Sequence, residues 1–106
     1  FNSYMNDQLS KIDHLAVIVD DIDQSVQYYT KKFNCDVKYK DDSWAMLKFE
    51  NINLALVVED EHPNHFAIVD HSLSSNKDIK FHRDGIGYVY TNDPSGNYIE
   101  LLDQES

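Results

Sequence analysis

The segment His14-Leu15-Ala16-Val17-Ile18-Val19-Asp20 returns about fifty residues further on as His65-Phe66-Ala67-Ile68-Val69-Asp70, and self-similarity on that scale marks a duplicated supersecondary unit. Each copy opens with a histidine at the same point of a strand-like apolar run. The ends of the copies correspond too: Asn53-Leu54-Ala55-Leu56-Val57-Val58 aligns with Asn97-Tyr98-Ile99-Glu100-Leu101-Leu102. A chain of 106 residues is the size of one ordinary domain and too short for two independent cores. The repeat therefore bears on fold and chemistry together.

Between the repeats the pattern reads strand, helix, strand, strand, strand. Ile12 to Val19 is the first strand, and Asp21 or Asp23 can cap the helix that follows. Ile22, Val26, Tyr29 and Phe33 make one apolar stripe at helical spacing, with Gln24, Gln27, Lys31 and Lys32 on the wet face. Asp36 to Lys40 and Trp44 to Phe49 are strands joined by the turn-prone Asp41-Asp42-Ser43, and Ile52 to Val58 is the next. The charged stretch from Glu59 to Asn64, with Pro63, is a solvated linker. In the second copy the stretch from His71 to Lys77 is polar and serine-rich, with Leu73 its single large apolar residue, so a loop or stub stands where the first copy has a helix. Ile79 to Phe81, Ile86 to Thr91 and Asn97 to Leu102 close the pattern, the last two joined by the β-turn signature Asp93-Pro94-Ser95-Gly96.

Composition excludes several functions. The net charge is -10, with one arginine, Arg83, and eight scattered lysines, which denies nucleic acid the basic face it needs. It also disfavours strongly anionic substrates. Cys35 is the only cysteine, so a disulfide or thiolate cluster within the chain is impossible, and a reducing, cytoplasmic setting is expected. The longest apolar runs, Leu15 to Val19 and Leu54 to Val58, are five residues each, against the roughly 20 that a membrane helix requires. Met5 is the expected native start, with residues 1–4 outside the fold.

The stretch Asp93-Pro94-Ser95-Gly96-Asn97-Tyr98-Ile99-Glu100-Leu101 and the two His-x-Ala openings resemble the vicinal oxygen chelate superfamily of glyoxalases, bleomycin-resistance proteins and extradiol dioxygenases. The resemblance covers residues 11–103 as a single domain. It implies an α+β fold of paired βαβββ modules, 11–59 and 65–103, forming a cupped mixed sheet, with the second module's helix reduced or lost. It further implies a divalent metal, Fe(II), Mn(II), Ni(II) or Zn(II), held by His14, His65 and Glu100.

Strand alternation sets each of those three among apolar residues that point into the fold, where a singly buried carboxylate is costly unless an ion or imidazole satisfies it. The same pattern also fits two core histidines, one of them paired with Glu100. Leu56, aligned with Glu100, cannot coordinate, which disfavours a four-ligand glyoxalase site. Fosfomycin-modifying enzymes, which must bind a phosphonate, are disfavoured by the scarcity of cationic groups.

By resemblance to the extradiol dioxygenases, Tyr90 and His82 are the candidate catalytic groups, able to hold a substrate oxygen and manage a proton. The acid-base histidine of those enzymes is absent, Glu50 being the nearest titratable group at that spacing. Trp44, Met46 and Tyr88 are candidate substrate-binding residues, and cross-strand packing accounts for them equally well. His62 and His71 read as solvated, and Arg83 with Asp84 as a surface pair in a glycine-closed turn.

Two functions are thus expected of such a chain: a metal-dependent dioxygenase- or lyase-like enzyme acting on a small oxygen-chelating molecule, or a metal-free protein that sequesters a cationic drug. A half-sheet without its helix exposes apolar surface, and a homodimer is the expected cover.

Overall fold

The computed structural model describes residues 9–59, 64–75, 77–82 and 85–105. The expectations for His62, Pro63, the acidic run through residues 60 and 61, and the Arg83–Asp84 pair lie outside the described residues.

The chain runs β1 (Lys11–Ile18), α1 (Ile22–Lys32), β2 (Asp36–Lys40), β3 (Trp44–Lys48), β4 (Asn53–Val57), β5 (His65–Val69), a 3-10 turn (His71–Ser75), β6 (Lys80–Phe81), β7 (Gly87–Asn92) and β8 (Tyr98–Leu102). All eight strands form one curled mixed sheet in the order β2-β3-β4-β1-β5-β8-β7-β6. Each half repeats the same scheme. The opening strand pairs in parallel with the closing strand, β1 with β4 and β5 with β8, and the two intervening strands add antiparallel outward. The halves meet where β1 and β5 pair antiparallel, so the repeat is written into the sheet as a pseudo-twofold about that seam.

Local chemistry accounts for the elements. Asp21 caps α1 by accepting from the Gln24 backbone N–H at 2.8 Å, and Lys31 and Lys32 sit in the last turn where cations suit the helix dipole. Ile22 and Val26 bury the helix against Ala45, Leu47 and Leu56 on the outer face of the first half. Phe33 ends the stripe as the C-cap and is largely exposed. At the β7–β8 turn the Asp93 carboxylate accepts from the backbone N–H groups of Ser95 and Asn97, both at 2.9 Å, and Gly96 takes the positive φ of 87°.

Among its described residues the second half has no α-helix. The 3-10 turn buries Leu73 and packs on β7 and β8. On the outer face beyond it, Phe66, Ile68, Val89, Ile99 and Leu101 stay partly exposed, with Leu15 of β1 beside Phe66 at 44% exposure.

Candidate metal centre

The inner face of the sheet carries His14 and His65. Two cross-strand rows decide the geometry: Tyr90, Glu100, Ala67 and His14 are successive partners across β7, β8, β5 and β1, while Met46, Ala55, Ala16 and His65 are successive partners across β3, β4, β1 and β5. The rows are related by the pseudo-twofold. Ala67 therefore stands between Glu100 and His14, and Ala16 beside His65. Both alanines are buried, and their small side chains leave room above the seam for the longer groups to converge. The alanine of each His-x-Ala opening thus serves the histidine of the other copy.

This register corrects the alignment of Leu56 with Glu100. The structural counterpart of Glu100 is Ala55, one residue earlier, and a one-residue shift in a strand reverses the face. Leu56 lies under α1, whereas Ala55 packs on the inner face with Ala16 and Met46. Alanine offers no ligand either, so the first half still supplies only its histidine.

Around Glu100 three imidazoles converge. His14 Nε2 and His65 Nε2 lie 3.4 and 3.1 Å from Oε1, and His82 Nε2 lies 2.6 Å from Oε2. Glu100 is 2% exposed, and His14 and His65 are buried with it. Ligand atoms of His14, His65 and Glu100 all fall within 4.8 Å of one another, so the three could hold a metal ion. The two histidine–glutamate separations suit one: nitrogen and oxygen ligands about 2.1 Å from a common ion stand roughly 3.0–3.4 Å apart at octahedral or tetrahedral angles.

Electrostatics follow from this crowding. Burial alone pushes the Glu100 carboxyl up, but hydrogen bonds from His14, His65 and His82 outweigh it and hold the group well below the usual carboxylate range. Burial likewise pulls His14 down, yet Asp13 and Glu100 together lift it to about 9. The Tyr90 hydroxyl, 3.5 Å from His65 Nε2, is pushed far above its ordinary value by burial and by the Glu100 charge. Tyr90 therefore keeps its proton near neutral pH and can donate a hydrogen bond.

The other expected site residues take distinct places. His82 is partly exposed at the edge of the centre and stacks on Tyr88, with ring centroids 3.9 Å apart and planes at 8°. Tyr88 in turn meets Tyr90 edge to face. Trp44 and Met46 lie across the seam on the first half's inner face, Trp44 packing on Ala16, Met46 and Ala55 and stacking on Tyr39. The inner face is thus polar on one side and apolar on the other. Glu50 borders a groove at the end of the sheet with Lys11, Asn51 and Glu105, a groove that Asp13, the residue before His14, also lines. His71 is exposed near the Asp103 carbonyl.

One group escapes sequence reasoning. The Asp13 carboxylate, buried like the ring it meets, lies 2.7 Å from His14 Nδ1. Strict alternation would turn residues 13 and 14 to opposite faces, and only an irregularity in the β1–β5 register brings them together.

Residues 11–101 match the Glyoxalase/Bleomycin resistance protein/Dioxygenase superfamily, and the chain belongs to that superfamily. Among solved structures it is similar to a hypothetical protein from Bacillus halodurans C-125, with TM-score 0.69 and 13% identity over 93% of this chain and 97% of that one. It is also similar to a glyoxalase/bleomycin resistance protein/dioxygenase superfamily member from Vibrio splendidus 12B01, with TM-score 0.57 and 16% identity over 89% and 98%. At these identities the likeness is one of fold. No curated protein matches the chain.

Proposed function

We propose that the protein is a divalent-metal-dependent enzyme acting on a small oxygen-chelating molecule, by dioxygenase- or lyase-like chemistry, with His14, His65 and Glu100 as its three metal ligands. The observation that carries this reading is the Glu100 carboxylate, 2% exposed and shared by imidazoles from both halves of the sheet. Burying a carboxylate so completely is costly, and a divalent ion held by neutral imidazoles is one of the few arrangements that repays it with function.

Two imidazoles and one carboxylate suit Fe(II), Mn(II), Ni(II) or Zn(II) and leave positions open to a substrate. Such an ion, when bound, supplies Lewis acidity or, as iron, activation of oxygen. The chain's own groups do the rest. Tyr90 donates a hydrogen bond to a substrate oxygen beside His65. His82 fixes the second oxygen of Glu100 and, from its partly exposed position, passes a proton between site and solvent. Trp44 and Met46 receive the apolar part of the substrate, while Tyr88 holds the His82 ring by stacking. The net charge of -10 lends some support to the second reading, a metal-free protein that sequesters a cationic drug. Such a protein has no need of a buried His/His/Glu set. A homodimer, covering the bare outer face of the second half, completes the proposal.

Metal analysis of protein purified without a polyhistidine tag, followed by titration with each ion, tests it. Stoichiometric metal is expected, and His14→Ala and Glu100→Ala should each weaken binding by about 100-fold or more. A metal-free protein whose weak affinity for all four ions is unchanged in both variants would sink the enzyme reading.

A further inference from the structure

We infer that Asp13 is a positioning residue for this centre, holding the His14 imidazole in the tautomer that presents Nε2 to the ligand set. The inference rests on the metal reading above and adds a residue to it.

The register supplies the first step. Ile12 pairs with Ile68 and His14 with Ala67, the immediate neighbour of Ile68, so Asp13 is the extra residue of a bulge in β1. That irregularity lets consecutive side chains share the interior, those of Asp13 and His14 being 5% and 8% exposed. Their contact supplies the second step. A neutral imidazole has one N–H; donated from Nδ1 to the Asp13 carboxylate 2.7 Å away, it leaves Nε2 as the free lone pair. Nε2 is the atom that faces Glu100 Oε1. An anionic acceptor also makes the ring a stronger donor to an ion and resists its rotation.

The other half handles the equivalent position differently. The residue before His65 is Asn64, whose Oδ1 accepts from the backbone N–H of Ile18 at 2.8 Å, tying down the end of β1. The two copies therefore diverge at the residue before each histidine, a carboxylate serving the ring in one and an amide serving the backbone in the other.

Asp13→Ala and Asp13→Asn, compared with the unaltered protein, test the assignment with Zn(II) as probe. Calorimetric titration should show zinc affinity about 10- to 100-fold lower in Asp13→Ala. Asp13→Asn, which keeps an oxygen acceptor without the charge, should recover part of it. Long-range 15N–1H spectra of the metal-free protein at about pH 10, where the His14 ring is mostly neutral, should show the His14 proton on Nδ1 in the unaltered protein and in Asp13→Asn, and lose that preference in Asp13→Ala. Unchanged zinc affinity in Asp13→Ala would overturn the inference. So would equal losses in both variants with the tautomer intact, since Asp13 would then only shape the bulge. Should the unaltered protein bind no zinc, the metal reading falls, while the spectra still decide what Asp13 does to His14.

Discussion

Three imidazoles share one carboxylate at Glu100, and that crowding sets the protonation that His14 and Glu100 bring to a ligand. With His14 raised to about 9 and Glu100 held well below the carboxylate range, the metal-free centre at neutral pH carries a proton that an incoming ion must displace. Because the ion needs the neutral ring, affinity must rise with pH and level off above about 9. Calorimetry in buffers of different ionisation enthalpy should register proton release on zinc binding at pH 7, diminishing toward pH 10. The buried Ala67 is the other residue on which the centre depends. Ala67→Leu should cost about 1–3 kcal/mol in denaturant unfolding and abolish zinc binding, since the added carbons fill the space between His14 and Glu100. How far such detail can be read from sequence varies by residue. His14, His65 and Glu100 are legible as neighbours because the family resemblance and strand alternation set them on one face, whereas Tyr90 and His82 are reached only through the likeness to extradiol dioxygenases. Asp13 is not, because a bulge leaves no trace in an alternation pattern. The mismatch of Leu56 with Glu100 has a similar origin: one residue of slip exchanges the inner and outer faces.

Among the elements, α1 is the plainest in the sequence: its apolar stripe is visible before folding, and of the two candidate caps, Asp21 and Asp23, it is Asp21 that takes the position. Asp21→Ala should cost about 1 kcal/mol, read as a lowered thermal midpoint with zinc affinity unchanged, because the helix lies on the face opposite the centre. The strands are legible to within a residue or so at their ends, their alternation being anchored by well-marked turns. The 3-10 turn shows the converse lesson: a segment with Leu73 as its single large apolar residue cannot bury a helical face, and its failure to form a helix is as readable as a helix would be. Sequence says less about β7. Gly87 exchanges backbone and side-chain hydrogen bonds with Asp103, and a Cβ there would fall 2.5 Å from Ile79 Cδ1 and 2.7 Å from Asp103 Oδ2. Gly87→Ala should therefore destabilise the protein by about 1–3 kcal/mol, measurable by urea unfolding.

Across the whole molecule the two halves are covered unequally. The helix that covers one outer face has no counterpart on the other, where Leu15, Phe66, Ile68, Ile99 and Leu101 remain partly exposed. Sedimentation equilibrium should find a dimer, and Ile99→Lys should shift it to monomer; a monomeric unaltered protein would refute this. Among the described residues no helix is long and apolar enough to cross a membrane. The β1–β5 seam has one more consequence. Neither repeat holds a full set of the converging groups: one contributes a histidine and its carboxylate anchor, the other a histidine, a glutamate and their tyrosine neighbour. Loss of either copy would break the proposed ligand set of His14, His65 and Glu100, so that set requires both halves of the repeat.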